Sequence, residues 1–162
     1  MKTIFIFLFC LLVGQNAGAQ TNLAAEYGLD TSFALVDSCP AKNIVEYFSV
    51  NAKYPESSMS LLNRIRQKAK DENQIFKQNG FVSFRFTLNC KGQASSYRLF
   101  MLDEHYKEIK FEQSAIRFFY DFVRSLKEWK VQPTNKYGEK YSCYNAYLNF
   151  QIRDGKILSV AP

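Results

Sequence analysis

The chain is poor in the residues that most chemistry needs. Among 162 residues there is one histidine, one tryptophan and four prolines. A single imidazole, His105, cannot build a multi-histidine metal centre, and any nucleophile–base pair that uses an imidazole must use this one. Four prolines exclude a Pro-rich, stiff linker. No Cys-x-x-Cys pair, Gly-x-Ser-x-Gly elbow, phosphate loop or dinucleotide fingerprint occurs anywhere in the sequence. Long apolar runs are scarce too. The one that stands out, Ile4 to Val13, falls well short of the roughly 20 residues that a membrane-spanning helix needs.

That run follows Lys2 and precedes the small residues Ala17-Gly18-Ala19, so residues 1–19 read as a secretory signal peptide. Cys10 sits inside the run behind Phe7-Leu8-Phe9, which is not the small-residue pattern of a lipidation site. The mature chain is expected to begin near Gln20, to carry no integral membrane anchor, and to be exported to the periplasm or secreted. Its length suits one domain, with an irregular leader over 20–40 and a folded region over 41–162. Loss of Lys2 lowers the formal charge from +6 to +5. The cations are scattered, which favours solubility over a nucleic-acid surface.

Aromatic residues, by contrast, are abundant, and their order is informative. Asn43 to Val50 reads as a short amphipathic helix through Ile44, Val45, Tyr47 and Phe48. A second helix is expected after Tyr54-Pro55, capped by Ser57 or Ser58, with Met59, Leu62, Ile65 and Ala69 on one face. Its charges from Arg64 to Glu72 read as a solvated face, and Asn79-Gly80 as its stop. Val82, Phe84, Phe86 and Leu88 alternate with polar residues as in a half-buried strand. Lys91-Gly92 then allows a reversal into a second strand, Ser95 to Leu102. From Ile109 the apolar spacing becomes helical through Phe111, Ala115, Phe118, Phe119, Phe122, Val123 and Leu126, a stripe expected to pack a core. Pro133 prevents continuation of the helix. A last strand, about Ser142 to Ile152, places Tyr144, Ala146, Leu148, Phe150 and Ile152 inward, and Asp154-Gly155 ends or turns it.

The resulting β-β-α-β order resembles the C-terminal domain of the TonB family, periplasmic energy transducers that grip outer-membrane transporters. The residues that carry the resemblance are Tyr54-Pro55, Gly80 to Phe86 with the turn Asn89 to Gly92, Trp129 to Pro133, and Leu148 to Ile152 with Gly155. The implied fold is α+β, a three-stranded antiparallel sheet packed by a long helix, with an extra N-terminal helical region. The implied function is non-enzymatic protein recognition in the bacterial cell envelope. The partner is a protein or peptide segment, an outer-membrane transporter among the candidates, added as a strand to the edge at Tyr147, Leu148, Asn149, Phe150, Gln151 and Ile152. Absence of a spanning anchor and Pro-rich linker departs from the full-length transducer, so a stand-alone, secreted form is expected. An intertwined homodimer through exchanged strands stays open.

Three cysteines survive cleavage: Cys39, Cys90 and Cys143. Pairing of the first and last strands would bring Cys90 toward Cys143, the preferred disulfide, worth about 4 kcal/mol in the chain-entropy model. Their opposite parity along the strands counts against it. No metal and no cofactor is expected, and no nucleic acid. Two more function classes stay open. One is a periplasmic carrier of small molecules or peptides, with an apolar pocket between helix and sheet at Phe118, Phe122 or Tyr97. The second is an enzyme built on His105 with Asp103, Glu104, Glu108, Glu112 and Asp121.

Overall fold

The structure, a computed structural model, describes residues 23–32, 44–131, 133–141 and 143–162. The expected signal peptide and Cys39 lie outside the described residues. In chain order the elements are α1 (Leu23–Glu26), β1 (Val45–Glu46), a 3-10 turn (Tyr47–Ser49), α2 (Ser58–Asp71), β2 (Gly80–Leu88), β3 (Ala94–Leu102), α3 (Gln113–Ser125), β4 (Tyr144–Arg153) and β5 (Lys156–Ala161). The fold is α+β. Its sheet is mixed and five-stranded, larger than the three-stranded antiparallel sheet expected.

The sheet is built around β2 and β4, which pair antiparallel over their whole length, from Gly80 opposite Ile152 to Leu88 opposite Tyr144. Period-two alternation puts Val82, Phe84 and Phe86 on the same face as Tyr144, Ala146, Leu148, Phe150 and Ile152, and all are buried. The β2–β3 hairpin turns where Lys91-Gly92 predicts it, with Gly92 at φ +72°. On the buried face the aromatic stripe of α3 meets the sheet: the Phe119 ring lies 4.6 Å from Phe150, and Phe122 6.2 Å from the same ring. Burial of such side chains stabilises the fold by about 1.5–3 kcal/mol each.

Several boundaries differ from the sequence reading. The segment at 44–49 is a two-residue strand and a 3-10 turn instead of a helix, because Val45 and Glu46 pair parallel with Tyr144 and Asn145. Glu46 is held there by Arg85 and by Asn145 Nδ2 at 3.0 Å. Ser57 caps α2 as expected, its hydroxyl accepting from the Ser60 N–H at 3.1 Å. The helix stops at Asp71, eight residues before Asn79-Gly80, where Asn73 turns the chain at φ +50°. The extended stretch that follows delivers Phe76 onto Phe119, ring centroids 5.2 Å apart. Likewise α3 ends at Ser125, and Trp129 packs from the following segment against Tyr54 at 4.7 Å and Phe86 at 5.4 Å.

Two features of the structure bear on function. Asp154 and Gly155 take positive φ, +50° and +71°, and fold the chain into a tight hairpin whose second arm, β5, runs back along β4. Part of the leader belongs to the domain as well: Ala24, Tyr27 and Leu29 are core residues. Ser32 and Asp30 accept with their carbonyls from the N–H groups of Ser96 and Tyr97 at the start of β3.

Candidate functional site

Tyr147 to Ile152, the expected partner-binding edge, lies in the interior of the sheet. On one side β4 is bonded to β2 throughout; on the other, β1 covers Tyr144 and Asn145 and β5 covers Asn149 to Arg153. Over the gap between them, the Tyr47 ring sits 6.1 Å from Tyr147, and the Tyr47 hydroxyl donates to the Pro162 carbonyl at 3.1 Å. Leu148, Phe150 and Ile152 are core. Tyr147, Asn149 and Gln151 point to the face opposite the helices, where Arg85 stacks on the Tyr147 ring at 5.4 Å. Asn149 and Gln151 sit on a stretch flanked by two strands, β2 and β5, while Tyr147 borders the gap over which the Tyr47 ring lies.

Phe118, Phe122 and Tyr97, expected to line a carrier pocket, are each less than 5% exposed and locked in ring contacts, Tyr97 edge-on to Tyr120 at 4.9 Å and Phe118 to Phe76 at 5.6 Å. Rings fill the helix–sheet interface at that place. His105 is exposed in the turn after β3. Its neighbour Asp103 accepts the N–H groups of His105 and Lys107 at 2.8 and 2.9 Å, and the Lys107 bond above all holds its carboxyl below the usual range. Glu104 pairs with Arg153 and Glu112 with Lys77. These carboxylates tie loops together.

Cys143 is a free, buried thiol, so the Cys90–Cys143 disulfide does not form. The reason is register. With Leu88 opposite Tyr144, Cys143 faces the position of Asn89, one residue short of Cys90, and alternation turns the two side chains apart. Burial raises the Cys143 pKa, opposed by a hydrogen bond with the Cys90 backbone.

What remains open lies at the outer borders of the sheet. The outer side of β3 is largely occupied, by residues 30 and 32 at one end and by the Leu102–Glu108 bridge and the Ile109 N–H at the other. β5 is different. Among the described residues it has a strand, β4, on one side only. In a two-residue hairpin the Arg153–Lys156 pair closes the turn by exchanging bonds, and the next pair, Ile152 and Ile157, turns its backbone groups outward. The outward Ile157 carbonyl accepts from Arg66 Nε at 2.8 Å. A side chain of α2 thus occupies a place on this border that a strand would take.

Beside that contact, α2, β5 and the stretch around Phe76 enclose a groove of about 420 Å³ lined by Arg66, Ala69, Lys70, Gln74, Phe76, Gly155, Lys156 and Ile157. Phe76 and Ile157 are buried and supply an apolar floor. Arg66, Lys70 and Lys156 supply positive charge, and no carboxylate is among the lining residues. None of the three makes an ion pair among the described residues, whereas Arg64 and Lys68 on the same helix pair with Glu56 and Glu72. Sequence reasoning missed this site by treating all the charges of α2 as one solvated face. A signal was present: Arg66 and Lys70 are like charges four residues apart, an arrangement that costs an isolated helix a few tenths of a kcal/mol.

Among the described residues, no helix is long and apolar enough to cross a membrane, and no group of three His, Cys, Asp or Glu side chains is placed to hold a metal. Comparisons of the chain with protein-family models, with curated proteins and with solved structures return no match.

Proposed function

We propose that this protein is a non-enzymatic recognition module of the bacterial cell envelope that holds an extended partner segment along the outer border of β5. The single observation behind this reading is that β5, among the described residues, has a strand on one side only, its outward Ile157 carbonyl being taken by the Arg66 side chain. Edge strands that serve only as structure are commonly short, bulged or charged, which discourages pairing. β5 carries such marks in Lys156 and in the register shift opposite Gln151 and Ile152. The groove beside it adds what plain edge protection does not need, an apolar floor with cations around it. Strand addition joins backbone bonds for affinity to side-chain pockets for selectivity, and both parts lie side by side here. The resemblance to the TonB family implies a contact at Leu148 to Ile152 on β4; the present reading moves it to the neighbouring strand β5.

Capture of partners from envelope fractions tests the reading. Leu158 is the extra residue of the bulge, a position where an edge strand tolerates proline. Leu158→Pro should therefore keep the fold and lose capture, while the surface change Lys107→Ala keeps both. Equal capture by the two variants would remove strand addition at β5. Leu148→Pro would not be informative, since it breaks the centre of the sheet.

A further inference from the structure

We infer that the groove between α2 and β5 takes an acidic, extended peptide segment, whose carboxylates pair with Arg66, Lys70 and Lys156 while its apolar side chains rest on Phe76 and Ile157. The inference rests on the preceding reading for the extended form of the ligand and on the groove itself for its charge.

Charge complementarity is the first ground. Three cations converge on one concavity that has no lining carboxylate. The acidic residues nearest to them along α2 are turned elsewhere, Asp71 to Gln67 Nε2 at 2.7 Å and Glu72 to Lys68. Asp154, in the turn, does not line the groove. Arg66 is the best placed of the three. Its Nε is fixed on the Ile157 carbonyl, which orients the planar guanidinium and leaves its terminal N–H groups for a bidentate carboxylate. The second ground is the Arg66/Lys70 pair, mutually repulsive at helical spacing, whose repulsion an anion bound between them would relieve. The third is the mixed character of the lining, in which Phe76 and Ile157 lie among the three cations, so a ligand whose carboxylates pair there meets apolar surface beside them. A second copy of this chain is a poor occupant, because its formal charge of +6, or +5 without residues 1–19, repels the same cations.

The probe is a short fluorescent peptide alternating Glu and Val, titrated with the mature chain and followed by anisotropy. Saturable binding that weakens about tenfold or more in Lys70→Glu with Lys156→Glu, and on raising salt, supports the inference. The reversal Lys127→Glu with Lys130→Glu makes the same change in net charge away from the groove and should bind nearly as the parent does. Lys156→Glu alone, with an unchanged melting temperature, guards against a folding artefact and should still lose several-fold. Binding that is absent, that is equal for the peptide with Gln in place of Glu, or that is lost equally in both double variants overturns the inference. So does binding of anionic phospholipid vesicles with the same dependence on Lys70 and Lys156, which would make the occupant a lipid surface. A backbone N-methylated Glu-Val peptide separates the two proposals: unchanged affinity removes strand pairing at β5 and supports docking by charge.

Discussion

The border of β4 is closed only if β5 is an integral strand, and one side chain tests this. Ile157 is 2% exposed and stands opposite Ile152, itself 1% exposed. Ile157→Ala removes three carbons, about 2.4 kcal/mol at the usual 0.8 kcal/mol per buried methylene, and the cavity left behind raises the expected loss to roughly 2–5 kcal/mol. Against a total stability of about 5–15 kcal/mol this is a large fraction. Urea unfolding should show a lower midpoint with an unchanged slope, since the surface exposed on unfolding hardly differs. Amide hydrogen exchange along Asn149 to Arg153 should quicken. Leu158→Ala, at a 37% exposed position, is the internal control and should cost less than about 0.5 kcal/mol. If Ile157→Ala also costs less than about 0.5 kcal/mol, β5 lies loosely on the surface. The edge of β4 would then be accessible and the contact would return to Tyr147 to Ile152.

Gly80 has φ +138°, and a Cβ there would stand 2.1 Å from the Leu102 carbonyl oxygen, so Gly80→Ala must displace backbone at the β2–β3 pairing; the expected loss is about 3 kcal/mol, measured by urea midpoint. Tyr54 is pushed up to about 12, chiefly by burial and then by its hydrogen bond to Glu128, and burial also raises Tyr97 and Tyr144. An unfolded tyrosine ionises near 10, so the folded state holds protons that the unfolded state releases. Their contribution is whole below about pH 10 and disappears as pH climbs through the raised folded values; Tyr54→Phe should reduce the slope of stability in that window, and an unchanged slope would refute the assignment. Cys143, 4% exposed with a raised pKa, should resist alkylation in the native protein and react once urea unfolds it.

The core was legible in the sequence wherever burial kept a simple period. β4 alternates strictly, β2 does so from Gly80 to Phe86, and all five side chains read as inward on β4 are buried. The apolar spacing of α3 identifies its face because one side of a helix must meet the sheet. β5 was hidden by its own irregularity. Its buried residues are Ile157 and Val160, three apart, because the bulge opposite Gln151 and Ile152 inserts a residue and spoils the alternation. β1 was hidden by brevity: the run Ile44, Val45, Tyr47, Phe48 fits a helix face as well as a strand, and only Tyr144 and Asn145, about a hundred residues away, decide it.

The candidate site was harder to see for a related reason. Strand alternation reports which face of β4 is buried but nothing about which of its borders is paired. Border pairing depends on segments whose own patterns are weak, here β1 and β5. The groove has the same property, since Arg66 and Lys70 belong to α2, Phe76 to the stretch before β2, and Lys156 and Ile157 to β5. Their meeting is set by the Asp154-Gly155 turn, which carries the chain from β4 back toward α2. Had Lys156 and Ile157 continued straight from Arg153, the three cations would be spread over separate solvated surfaces, as the sequence suggests. The turn that closes the expected binding edge is therefore also what assembles the basic groove. A chain that folds β5 away from β4 would lose both features together.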